Sequence, residues 1–129
     1  MFKTELINRI PFATANKRIL YLPLVFISKY SLEPIIAPKD FPYDGASTPK
    51  FTHRLFPKFG EKYDYAVVIH DFLCKEANKH LGTPQYAIKR KFADDVFLEI
   101  MELSGVSWWR RKAMYRAVRM SGKITEWRN

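Results

Sequence analysis

Residues Tyr63–Ala77 read YDYAVVIHDFLCKEA, and this stretch decides how the rest of the chain is understood. Its apolar residues recur at helical spacing, yet its most hydrophobic turn carries an adjacent histidine and aspartate, His70 and Asp71. At about 100° per residue, His70 falls on the stripe of Ala66, Leu73, Cys74 and Ala77 and so points into the protein. Asp71 lies about 100° further round, beside Asp64 and Lys75, at the border of core and solvent. A second helix follows the short connection LGTPQ, which makes the two helices antiparallel neighbours. In its AIKRKFADDVFLEIM segment, Asp94 falls between Leu98 and Met101 at the edge of the apolar face, while Asp95 sits among Glu99 and Glu102 on the solvated side. An inward histidine and an inward-leaning aspartate on facing helices can hydrogen-bond. The carboxylate would fix the imidazole tautomer and leave the other ring nitrogen to accept a proton, which is a general-base dyad. A core histidine satisfied by a nearby acid, with no chemistry, fits the same periodicity.

Working outward, the first helix spans about Tyr63 to His80 and is stopped by Gly82 and Pro84. The second begins near Thr83 or Pro84 and reaches Leu103. The third takes Ser107 as its N-cap and is expected to end before Gly122. Ahead of these helices, Arg18–Ser28 and LEPIIAP are rich in strand formers, with the polar break SKYS between them. They predict a β-hairpin or two short strands, with Pro23 at an edge or a bulge. Residues 38–62 contain Pro38, Pro42, Pro49, Pro57, Gly45 and Gly60, a density of breakers that makes a long loop, with one helical turn near STPKFTHRLF. Loops of this length inside a small domain are usually functional. The organisation expected is one mainly α domain over 1–129: a hairpin extension (1–37), an ion-binding loop (38–62), a three-helix core (63–123) and a tail (124–129).

At 129 residues and 47% hydrophobic content the chain is long enough for one sizeable core. Its single cysteine, Cys74, excludes an internal disulfide framework and suits a reducing compartment. The longest apolar run, Ile19–Ile27, is broken by Pro23 and is too short to span a bilayer. The opening MFKTELINRI lacks an apolar leader core, so no cleaved signal peptide is expected. The net charge of +9 favours nucleic acid, anionic lipid head groups or an acidic protein as partner. That charge gathers at the end, where Arg110, Arg111, Lys112, Arg116, Arg119, Lys123 and Arg128 face only Glu126. On this last helix Trp109, Ala113, Ala117 and Met120 form the expected core stripe, widened by Met114 and Val118. Trp108, Arg110, Arg111, Arg116 and Arg119 then form the surface offered to a membrane or a protein partner.

The loop stretch FPYDGASTP (41–49) adds chemistry of its own. Asp44-Gly45 suits a turn that exposes backbone carbonyls, and a carboxylate beside free carbonyls suits a hard cation such as Ca²⁺. If the loop folds back on the first helix, Asp44 and Asp71 could share one ion beside His70. A plain Asx turn fits the same residues.

The order DGAS…P, then HDF, then R…D…F…M, then Y…AVR…G resembles the phospholipase A₂ superfamily, in particular its small prokaryotic members. It also resembles a phage- and prophage-encoded domain family of unknown function. The resemblance covers about Pro38 to Lys123. It implies an antiparallel helix pair carrying the site, with a third helix closing on it. It implies His70 as the base that activates water, Asp94 as the acid that orients it, and Asp44 and Asp71 as ligands of a calcium ion. It further implies hydrolysis of membrane lipid esters during infection by a virion- or tail-associated protein, in the particle or the host cytoplasm. The chain departs from the superfamily in its single cysteine, in Cys74 where a tyrosine is usual, and in Asp40 where the phage family often has glycine. A non-catalytic component of a phage particle with the same fold is the alternative.

Other readings of the same residues are an HD-type phosphohydrolase using His53, His70, Asp71 and Asp94, and a zinc site of His70, Cys74 and His80. A nucleic-acid binder through the basic helix is a further one, resting on charge without a recognition motif.

Overall fold

In the computed structural model the described residues are 1–9, 18–43 and 63–128. The protein is mostly helical, with two small antiparallel sheets ahead of three helices. Strands β1 (Asn8–Arg9), β2 (Arg18–Leu20) and β5 (Pro42–Tyr43) form one sheet in the order β1-β2-β5. The other sheet is the expected hairpin: β3 (Leu24–Phe26) pairs with β4 (Ile35–Ala37), Val25 opposite Ile36. Pro23 sits between β2 and β3, where no ladder bond is asked of it. Side chains alternate along β3 and β4, so Leu24, Phe26, Ile35 and Ala37 point into the core while Ile36 is exposed. The N-terminal residues add to the open edge of β3: Lys3 N donates to Val25 O and Ile27 N to Met1 O. Asp40 takes φ 68°, the left-handed conformation that glycine adopts without strain.

Helix α1 (Asp64–Asn78) is buried all round over Ala66–Asp71, because the sheets cover one side and the next helix the other. That enclosure takes Asp71 to 4% exposure, deeper than the border position read from the helical wheel. Helix α2 (Pro84–Leu103) starts with Pro84 in the first turn, where its missing N–H is not needed. It packs along α1. It ends in a Schellman arrangement, Val106 N donating to Met101 O and Gly105 N to Glu102 O. This fixes Gly105 at φ 78° and tucks Val106 into the core.

Helix α3 (Trp108–Trp127) lies against α2 and departs from expectation twice. It runs past Gly122 to Trp127, so 124–127 are helix and not a tail. Gly122 is present for close approach: a Cβ there would sit 2.7 Å from Arg90 Cγ. The buried stripe is also rotated. Met114, Ala117, Val118 and Gly122 face inward, whereas Trp109 and Met120 are 53% and 51% exposed. A glycine carries no hydropathy signal, so the wheel could not weigh its contribution to the packed face.

Glu99, read from the sequence as solvated, is buried and ties the hairpin to α2. It accepts from Ser28 Oγ at 2.6 Å and from Lys29 N at 3.0 Å.

Candidate functional site: a buried His–Asp pair held by two arginines

The packing of α1 on α2 brings His70 and Asp94 together at full burial. His70 Nε2 donates to Asp94 Oδ1 at 2.7 Å, and the imidazole lies 4.6 Å from the Phe97 ring, centroid to centroid. Asp94 faces the histidine and Asp95 does not, as the helical wheel predicts. Asp95 instead accepts from Tyr115 Oη at 2.5 Å and from Lys91 Nζ at 2.7 Å.

Two arginines complete the cluster, and the sequence reading passed over one of them. Arg90, one turn before Asp94, donates from Nε to Asp94 Oδ1 at 3.1 Å and from Nη2 to Val118 O at 3.0 Å. The Arg–Asp spacing of i, i+4 was the available signal. Arg119, expected on the outer partner surface, turns inward and donates from Nη1 to Asp94 Oδ2 at 2.9 Å. Asp94 thus accepts from all three helices. A carboxylate buried with one cation would still lack donors; here both oxygens are served, which is what a buried charge requires.

The electrostatics follow from this arrangement. Burial disfavours the His70 cation, but Cys74 and the Asp94 hydrogen bond outweigh it and hold the imidazole up at about 9. Asp94 is pushed up by burial, but His70, Arg90 and Arg119 outweigh that and hold it below the usual carboxylate range. At neutral pH the pair is an imidazolium–carboxylate ion pair.

Cys74 lies one turn along α1, its Sγ 3.5 Å from His70 Nε2. A nucleophile–histidine–acid relay uses the two ring nitrogens separately. Here Asp94 and Cys74 meet the same nitrogen, and the thiol is only 3% exposed, so Cys74 is not an activated nucleophile. His70, Cys74 and Asp94 do converge, their donor atoms within 4.8 Å of one another, with Asp94 in the place the zinc reading gave to His80. The guanidinium groups already on Asp94 repel a dication, and the mixed N, S, O set does not suit calcium. Asp71, one of the two carboxylates expected to hold calcium, lies on α1 at 4% exposure. Asp44, His53 and the rest of residues 44–62 lie outside the described residues.

A cavity of about 670 Å³, lined by Phe2, Tyr65 and Leu103 among others, opens at the start of α1. None of His70, Cys74 or Asp94 lines it. On α3, Trp108 is 62% exposed, Arg116 is exposed, and Arg110 and Arg111 are half-buried; Arg111 donates to Val106 O at 2.8 Å. No described helix is long and apolar enough to cross a membrane.

Residues 19–118 fit the model of a family described as a protein of unknown function (DUF1353); the match spans both strands of the hairpin, His70, Cys74, Arg90 and Asp94 of the cluster, and the buried stripe of α3 up to Val118, and stops one residue short of Arg119. No curated protein and no solved structure matches the chain.

Proposed function

Given that the chain belongs to the DUF1353 family, we propose that it is a phage- or prophage-encoded, virion-associated esterase acting on membrane lipids through a phospholipase A₂-like His/Asp site. The observation that carries this reading is the 2.7 Å bond between His70 Nε2 and Asp94 at the centre of two packed helices. By occupying Nε2, Asp94 assigns proton acceptance to Nδ1. The proton of a water molecule passes to His70 Nδ1 as its oxygen attacks the ester carbonyl. The alcohol leaves with that proton, and a fatty acid and a lyso-lipid are released. Asp94 stays ionised throughout and stabilises the imidazolium. Calcium, when held by Asp71 and Asp44, supplies positive charge for the oxyanion.

His70 with a pKa of about 9 is mostly protonated at neutral pH. The rate of such an enzyme therefore climbs with pH toward 9. Purified protein with Ca²⁺ should release fatty acid from mixed micelles of anionic phospholipid, and His70→Ala should abolish this. Equal release by the His70→Ala protein would assign the activity elsewhere.

The second reading is a non-catalytic component of a phage particle, using the cluster as a three-helix tie. The donation to Asp94 from all three helices favours it. Absence of hydrolysis across lipids, calcium levels and pH 7 to 10 would decide for the tie.

A further inference from the structure

Helix α3 carries two apolar faces, and only one is used by the fold. Met114, Ala117, Val118 and Gly122 pack inward. Roughly 130° round the helix, Trp109, Met120, Ile124 and Trp127 form a second stripe, exposed by 53%, 51%, 37% and 72%. These four project within about 60° of one another, and the two tryptophans stand about 27 Å apart along the axis. The stripe is bordered by exposed Lys112, Arg116 and Lys123 on one side and by Arg110 and Arg128 on the other. Arg110 lies over the Trp109 ring at 5.1 Å and Lys112 over Trp108 at 4.3 Å, so the cations stand close beside the aromatic rings.

We infer that α3 lies in the surface of an anionic lipid bilayer, its tryptophan stripe at the acyl boundary and its bordering cations among the head groups. Three observations select this occupant. The stripe is convex and runs the length of a helix, so it suits a deformable apolar layer. Tryptophan at each end and basic residues along both borders match the interfacial preferences of those side chains. A second copy is disfavoured, because stacking two such faces would bring like-charged borders together with only Glu126 between Ser107 and Asn129 to offset them. The inference stands on α3 alone and does not require the esterase.

The test is sedimentation of the full chain with vesicles of phosphatidylcholine, with and without a quarter phosphatidylglycerol. Binding should appear with the anionic vesicles, weaken as salt is raised, and shift tryptophan emission to the blue. Trp109→Ser with Trp127→Ser, both exposed in the folded chain, should weaken binding about ten-fold or more through lost apolar contact. Lys112→Glu with Arg116→Glu should abolish it. Failure to bind anionic vesicles at low salt overturns the inference. So does vesicle binding that the tryptophan pair does not affect, or emission that does not move. Tighter binding to single-stranded DNA or to an acidic peptide than to the vesicles, through the same four residues, would assign the face to that class of partner and overturn the lipid assignment.

Discussion

Replacing Gly122 by alanine should destabilise this protein, the opposite of the usual effect in a helix. In an open helical interior the substitution gains about 1 kcal/mol from propensity. Here the new methyl would stand 2.7 Å from Arg90 Cγ and 3.0 Å from its Nε. Arg90 cannot swing aside freely, because its side chain is 5% exposed and pinned to Asp94 and to Val118 O. Overpacking of this kind costs about 1–3 kcal/mol, and displacing a hydrogen bond to a charged group about 1.5–3 kcal/mol. Set against the propensity gain, the net loss is about 2 kcal/mol. Urea denaturation followed by far-UV circular dichroism measures it. The decisive control is the same substitution in an Arg90→Ala background, where the obstructing side chain is gone. There Gly122→Ala should stabilise by about 1 kcal/mol, so the two positions couple by about 3 kcal/mol. A raised urea midpoint for Gly122→Ala in the parent chain would refute the close approach, and with it the geometry that seats Arg90 on Asp94.

The two adjacent aspartates should behave differently. Asp94→Asn leaves buried cations without their counter-ion and should cost about 3–5 kcal/mol, whereas Asp95→Asn, losing one partly buried hydrogen bond, should cost about 1 kcal/mol. Stability should also depend on pH in a defined direction. The His70 pKa is raised from 6.5 to about 9 on folding, so its contribution is full below pH 6.5 and is lost as pH climbs through 9. The Asp94 pKa is lowered from 3.8, so its contribution is present above that value and is lost as pH falls through the folded pKa. Urea midpoints should therefore decline between pH 6.5 and 9, and His70→Gln should flatten that decline.

The His70–Asp94 contact was legible because a helical wheel and a short connection suffice to aim two side chains at each other. Its arginine partners follow from a finer rule. Arg90 is one turn from Asp94 and could have been read, but Arg119 reaches inward only because α3 is rotated relative to its apparent apolar stripe. That rotation was hidden by two things: Gly122 belongs to the packed face without being apolar, and Trp109 and Met120 belong to the apolar signal without being packed. Strands β1 and β5, two residues each, are too short to show a period. Glu99 was misplaced because its partners, Ser28 and Lys29, come from the distant hairpin, and no local pattern reports a long-range hydrogen bond.

The link between Ser28 and Glu99 also sets an order for folding. It joins positions 71 residues apart, whereas α2 and α3 can form from contacts local to the last part of the chain. During synthesis the hairpin emerges first, with Leu24 and Phe26 on a face whose cover is α1 and α2. Until Glu99 has left the ribosome that face lacks the cover of α2, and its apolar side chains are available to other chains. Truncated or stalled chains ending before α2 should accordingly aggregate, while those long enough to include it should remain dispersed.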